Sequence, residues 1–210
     1  MKFYHHVKEP SIEVLRKGFP LKGKWKKEFF KNSNPLVLEL GCGMGEYSVC
    51  LAEKYPNKNF IGVDIKGARM WKGANYSFKK EMKNIGFLRI RIDWIESCFA
   101  KEEVDEIWIT FPDPQFKKRR AKKRLTHPVF LRRYANVLKK DAIIHLKTDS
   151  QFLHAFTLDV ISANEHILED STADLYASST FREHMEIKTY YEQIYLSKSL
   201  PITYLRFRLQ

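Results

Sequence analysis

The sequence predicts an α/β fold, a mostly parallel sheet with helices packed on both faces. Three observations predict it. Short apolar runs alternate with helical spacing along most of the chain, the pattern of strands buried on two sides. The first of these runs ends in a glycine cluster that opens a helix. Polar residues with chemical potential then recur just after successive runs, where ligands of parallel sheets bind.

The elements follow in order. Val37-Leu38-Glu39-Leu40 is a short strand ending in glycines, and Glu46 to Lys54 carries helical spacing up to Pro56. Phe60 to Val63 is a second strand, followed by a helix from about Ala68 to Met82. Leu88 to Ile92 reads as a third strand, and Ile107 to Phe111 as a fourth, stopped by Pro112 and Pro114. Val129 to Leu138 is helical, and Ala142 to Lys147 is a fifth strand with a helix behind it. Thr189 to Leu196 and Thr203 to Leu209 read as a late antiparallel strand pair. No repeat and no Gly/Ser or Pro tract divides the chain, so 210 residues are expected to build one domain over residues 35–210. Residues 1–34, basic and aromatic, form an N-terminal extension that either packs on this domain or helps to bind the partner.

Apolar residues make up 44% of the chain and charged ones 30%, a globular rather than a disordered balance. No apolar run reaches the roughly 18 residues of a membrane helix, and the N-terminus lacks a signal-peptide core. A cytoplasmic protein with no membrane partner is expected. Cys42, Cys50 and Cys98 form no CxxC pair, so neither a disulfide framework nor a metal site is expected. The net charge of +12, from 37 Lys plus Arg against 25 Asp plus Glu, favours a polyanionic partner. Oligomeric state is open between monomer and homodimer.

Glu39-Leu40-Gly41-Cys42-Gly43-Met44-Gly45 lies where the first strand turns into the first helix. Glycines there allow positive φ and let a ligand approach bare backbone. The dinucleotide fingerprint would place a third glycine where Glu46 stands, and a carboxylate repels a pyrophosphate. The loop also lacks the GK[ST] of a phosphate loop. A phosphate-free ligand with cationic groups suits Glu39 and Gly41, Gly43 and Gly45; S-adenosyl-L-methionine is that ligand. Asp64, 19 residues after Gly45, is placed to accept from both ribose hydroxyls, and Asp93 from the adenine amine, with Ile92 or Trp94 beside the ring. Each carboxylate alone would more often be a turn residue or helix cap; three at successive strand ends point to a cofactor.

Pro112-Asp113-Pro114 holds its carboxylate in a stiff extended turn after the fourth strand. From Lys117 to Arg124, seven of eight residues are basic: Lys117, Lys118, Arg119, Arg120, Lys122, Lys123 and Arg124. Such a run is usually a solvated segment, but beside a reactive loop it focuses phosphates, which suits RNA rather than a small neutral substrate. Lys147-Thr148-Asp149-Ser150 ends the fifth strand, and Thr189-Tyr190-Tyr191-Glu192 lies near the late strands; both carry donors and acceptors that can read a base edge. Asp149 would serve equally as a helix N-cap.

Together ELGCGMG, FPDPQFKKRRAKKRL, HLKTDS and TYYE resemble, in order and spacing, the tRNA (guanine-N7)-methyltransferase family, from about residue 35 onward. The proline-flanked aspartate with its basic run is the most specific element. The resemblance implies a Rossmann-like class I methyltransferase fold with a seven-stranded sheet, S-adenosylmethionine as donor, and tRNA as partner, modified at a guanine of the variable loop. It further implies that Glu39, Asp64, Asp93 and Asp113 contact the cofactor and that Asp113 is catalytic. Lys117, Asp149 and Thr189 to Glu192 fall on substrate positions, and Arg119 to Arg124 on the RNA-contacting stretch. Gln115-Phe116 stand where the family usually has Trp-Pro, and Ser150 where it commonly has Asn. A small-molecule methyltransferase would not explain the basic run. A non-catalytic RNA-binding protein would tolerate missing acids, and none is missing. A nicotinamide oxidoreductase is disfavoured by Glu46.

Overall fold

A computed structural model describes residues 4–178 and 186–210. In chain order the elements are Val7–Lys8 (β1), Ile12–Lys17 (α1), Leu36–Leu40 (β2), Glu46–Lys54 (α2), Asn59–Asp64 (β3), Gly67–Lys79 (α3), Ile85–Arg89 (β4) and Ile95–Cys98 (α4). They continue through Val104–Thr110 (β5), Pro128–Ala135 (α5), Leu138–Thr148 (β6), Gln151–Ala163 (α6), Ile167–Thr172 (β7), Tyr190–Ser197 (α7) and Thr203–Arg208 (β8). The strands form one sheet in the order β1-β4-β3-β2-β5-β6-β8-β7. Pairings from β1 to β6 are parallel, while β8 runs antiparallel to both β6 and β7.

β2 is central because all five of its residues can be buried. Leu36, Leu38 and Leu40 enter one apolar layer with Ile107, Ile109 and Ile144. Val37 enters the opposite layer with Tyr47, Trp108 and Tyr204. Each such aliphatic side chain contributes about 1.5–3 kcal/mol by leaving water. Glu39 is the polar residue of this strand, 4% exposed, and its burial requires partners. The chain runs outward from β2 in one direction through β3 and β4, and in the other from β5 through β6. The sheet therefore has its topological switch point between β2 and β5, where a crevice opens at the carboxyl ends.

The structure corrects several expectations. The sheet has eight strands rather than seven, because Val7–Lys8 of the N-terminal extension pairs with Phe87 and Leu88. The third strand is Ile85–Arg89 rather than Leu88 to Ile92; the apolar run continues past the strand into a 3₁₀ turn at Ile92–Trp94. Thr189 to Leu196 is not a strand. Tyr190–Ser197 is a helix whose N-cap Thr189 accepts from the Glu192 amide at 3.3 Å. The antiparallel partner of β8 at the sheet edge is instead Ile167–Thr172. The extension packs on the domain through Trp25, which is fully buried, stacks on Phe99 at 5.4 Å, and donates its indole N–H to the Cys98 carbonyl at 2.9 Å. Among the described residues no helix is long and apolar enough to cross a membrane, and no three His, Cys, Asp or Glu side chains gather to hold a metal ion.

Candidate active site

The crevice at the switch point holds a cavity of about 310 Å3 lined by Glu39, Gly41, Gly43, Asp64, Asp113 and Lys123, among others. An adjoining cavity of about 450 Å3 shares Gly41, Asp64, Lys123 and Leu125 with it and extends over Ile65, Ile92, Asp93 and Phe130. The first carries Glu39, Glu46, Asp64 and Asp113 together with Lys66, Arg69 and Lys123; the second sets Ile65, Ile90, Ile92, Leu125 and Phe130 beside Asp64, Arg91, Asp93, Lys122 and Lys123. They meet at Asp64.

The loop from Gly41 to Gly45 shapes the floor. Gly43 sits at φ +54 with open space where a Cβ would stand, so the backbone faces the cavity bare. Gly45, at φ +72, is required by packing: a Cβ there would meet the Phe87 ring at 2.6 Å. Gly45 is also the residue before α2, so its conformation aims the start of that helix at the cavity.

Glu39 is held by three donors. The Ser48 amide donates to it at 2.9 Å, the Ser48 hydroxyl donates to the same oxygen, and the Thr110 hydroxyl donates to Oε1 at 2.5 Å. Burial nevertheless raises its carboxyl to about 7, the nearby Asp64 charge adding to the rise while the Ser48 and Thr110 hydrogen bonds oppose it. Asp64 Oδ2 accepts from the Gly43 amide of the glycine loop at 2.9 Å and Oδ1 from the Lys66 amide before α3 at 2.7 Å, so both oxygens are fixed in place. Asp93 lines the second cavity next to Ile92, as the sequence suggests; Trp94 does not line it. Its carboxylate is shared with the Arg91 guanidinium at 3.0 Å. The buried Glu39, the half-buried Asp64 and Asp93, a bare glycine edge and the apolar side chains of Ile65, Ile92 and Phe130 fit a cationic, phosphate-free adenosyl compound. S-adenosylmethionine is of that kind.

After β5 the backbone takes a strained course. Phe111 and Gln115, neither of them glycine, adopt φ of +47° and +48° on either side of Pro112-Asp113-Pro114. Such conformations persist only where surroundings enforce them, and they gather at functional sites. Asp113 Oδ1 accepts from the Gln115 amide at 2.9 Å, which orients the carboxylate at the cavity rim. Arg124 enforces the loop from behind. Its guanidinium donates to the Pro114 carbonyl at 3.2 Å and the Gln115 carbonyl at 3.1 Å, and lies over the Phe152 and Phe156 rings at 4.6 and 4.4 Å.

The basic run therefore divides in two. Lys117, Lys118, Arg119, Arg120, Lys122 and Lys123 are exposed, most of them on a 3₁₀ turn at Lys118–Lys123, and Lys123 reaches both cavities. Arg124 is only 5% exposed. It is a loop anchor, not part of the exposed strip in which the sequence placed it.

The TYYE segment divides as well. Thr189 and Tyr191 line the first cavity, while Tyr190 is exposed and its amide donates to Glu46 at 3.0 Å. Glu192 is fully buried, accepting from the Lys147 ammonium at 2.8 Å and the Tyr176 hydroxyl at 2.6 Å, so it holds α7 against β6 instead of facing the cavity. Asp149 does not cap α6; Ser150 does, accepting from the Leu153 amide at 3.2 Å. Asp149 remains half-buried, its carboxyl raised by burial. Lys117 stands outside both cavities.

Sequence reasoning missed Ser48 and Thr110, the donors to Glu39, and Lys66 and Arg69, which line the first cavity. Thr110 ends β5 beside β2, a position only the strand order reveals.

Residues 33–205 match the model of the family described as "Putative methyltransferase". The tRNA (guanine-N(7)-)-methyltransferase of Christiangramia forsetii is 51% identical over 99% of this chain and 93% of its own length. That of Bacteroides thetaiotaomicron is 53% identical over 100% of this chain and 82% of its own. Among solved structures, the 16S rRNA methyltransferase KamB superposes with a TM-score of 0.66 at 15% identity, over 88% of this chain and 92% of that one, a likeness of fold. With these relatives, the glycine loop and the proline-flanked aspartate in one crevice, the chain belongs to the tRNA (guanine-N7)-methyltransferase family.

Proposed function

We propose that this protein transfers the methyl group of S-adenosylmethionine to N7 of a guanine in tRNA, with Asp113 as its catalytic carboxylate. One observation carries the reading: Lys123, the cavity end of an exposed cationic strip, lines the same cavity as Asp113 and Glu39. A polyanion bound along the strip is thereby led to the carboxylates. The relatives' names supply the base and the atom.

The donor, when bound, supplies a methyl group on a positively charged sulfur. Glu39 and the open edge of Gly43 would hold the ammonium of its amino-acid end, and Asp64 would accept from its ribose hydroxyls. Asp93 would receive the adenine amine, with Ile92 beside the ring. Guanine N7 carries an in-plane lone pair and no proton, so no residue has to act as a base. Methylation at N7 would leave the base positively charged. Asp113 faces that charge with a carboxylate already oriented by the Gln115 amide. Alignment is the other requirement, and Arg124 meets it by fixing the loop. Thr189 and Tyr191, which line the same cavity, would hold the base.

The test is transfer of labelled methyl to unfractionated tRNA, followed by chemical cleavage at 7-methylguanosine. Label on tRNA with cleavage at one position supports the reading. Label confined to small molecules, or tRNA bound without transfer, contradicts it.

A further inference from the structure

Phe116 is the most exposed large apolar side chain among the described residues, 68% exposed, three positions beyond Asp113. It does not stand alone. Phe152, 42% exposed on the first turn of α6, lies with its ring centroid 5.3 Å away and the two planes tilted by 41°. Arg124 supports the pair from beneath: its guanidinium covers the Phe152 ring at 4.6 Å while its hydrogen bonds grip Pro114 and Gln115, the two residues immediately before Phe116. The two rings are thus coupled to the backbone that carries Asp113, and the exposed Lys117 to Lys123 begins at the next residue.

Two solvent-facing aromatic rings beside a cationic track form a surface for an unstacked nucleic-acid base: cations take the phosphates and a ring takes the base face. A protein-binding patch would be expected to continue into further apolar surface, but here the neighbours in sequence are Lys117 and Lys118. We propose that Phe116 and Phe152 are a stacking platform for a base flanking the target guanine. This rests on the tRNA reading given above. The platform acts without base-specific hydrogen bonds, so it orients the strand and holds the target nucleotide at the cavity without choosing its sequence.

Steady-state methylation of tRNA and tRNA binding across a salt series test it, using F116L, F116W and the F116A/F152A pair. Stacking of one base supports an affinity difference of about tenfold or more. The double variant is expected to raise KM for tRNA by about that factor, and F116L, which leaves the Arg124–Phe152 contact in place, is expected to raise KM while kcat and S-adenosylmethionine affinity stay near the parent. The double variant's slope of log affinity against log salt is expected to match the parent, because every phosphate-facing cation remains in place. F116W keeps a ring and is expected to retain parental KM, whereas F116L keeps apolar bulk and loses it. A parental KM in the double variant, or equal behaviour of F116L and F116W, overturns the platform. So does a shift from dimer to monomer in sedimentation of the double variant, which would identify the patch as a contact between two copies. Absence of transfer by the parent itself would instead refute the tRNA reading, and the platform with it.

Discussion

The Thr110 hydroxyl donates to Glu39 at 2.5 Å across the seam between β2 and β5, the two strands that part to form the crevice. That bond ties the acid lining the crevice to the strand that carries the Asp113 loop. Thr110→Val keeps the shape of the side chain and removes the donor. The ionised form of Glu39 then loses a hydrogen bond worth about 1–2 kcal/mol. Calorimetric titration is expected to show S-adenosylmethionine binding weakened by about tenfold, with the thermal unfolding midpoint little changed. Parental affinity in this variant would mean that Thr110 has no part in poising Glu39.

Cofactor binding should depend on pH through the same residue. Burial raises the Glu39 carboxyl from 4.5 to about 7, so below that pH it carries a proton in the free protein. A cationic ligand prefers the ionised form, so binding releases this proton. Affinity is expected to be flat above about pH 7 and to fall as pH drops through that value. The linkage for stability has the opposite sign. Between 4.5 and about 7 the folded chain holds a proton that the unfolded chain has released, so Glu39 lowers stability as pH rises through this window. Glu39→Gln is accordingly expected to be at least as stable as the parent at pH 8, while losing cofactor affinity. Titrations in two buffers of different ionisation enthalpy read the released proton directly; equal apparent enthalpies at pH 6 would count against it.

Asp113→Ala tests the catalytic role proposed for that carboxylate. Its expected effect is a loss of kcat of about 10²–10³ with tRNA affinity nearly unchanged, as for removal of one preorganised electrostatic group. Equal losses in turnover and binding would reassign Asp113 to substrate binding alone.

The two parts of the basic run should separate in experiment. Replacing Lys122 and Lys123 with Ala is expected to lower the log–log salt slope of tRNA binding by at most about 0.9 for each phosphate no longer neutralised. Arg124→Ala is expected to leave that slope nearly intact and lower kcat, because it frees the Pro114 and Gln115 carbonyls and relaxes the Asp113 loop. Arg124→Lys should not restore activity, since a point charge cannot reproduce the planar two-carbonyl grip. Matching salt slopes for the two sets of variants would return Arg124 to the phosphate-binding strip.

How much of the site is legible in the sequence follows from what each signal depends on. The glycine loop, Asp64 and Asp113 are readable because strand ends in a parallel sheet are ligand positions whatever the tertiary detail. Arg124 looks like any other member of a basic run; only Phe152 and Phe156, one helical turn apart on α6 and about 30 residues away in sequence, reveal that it is buried. Glu192 reads as a substrate-side residue although it belongs to the core, because its partner Lys147 comes from a distant strand. The strand reading of Thr189 to Leu196 fails on a local signal that is present. Thr-x-x-Glu marks a helix start, yet a run rich in tyrosine and isoleucine fits a strand equally well. The eighth strand is invisible for another reason: two residues, Val7 and Lys8, are too short for any periodicity to register.

The central claim is that this crevice presents guanine N7 to a methyl donor, and one substitution in the substrate addresses that atom. Transcripts of one tRNA made with guanosine or with 7-deazaguanosine differ at N7 and retain their Watson–Crick edges. The account predicts label transfer to the guanosine transcript and none to the 7-deaza transcript, with both binding alike. Comparable transfer to both would place the chemistry at another atom and contradict the account.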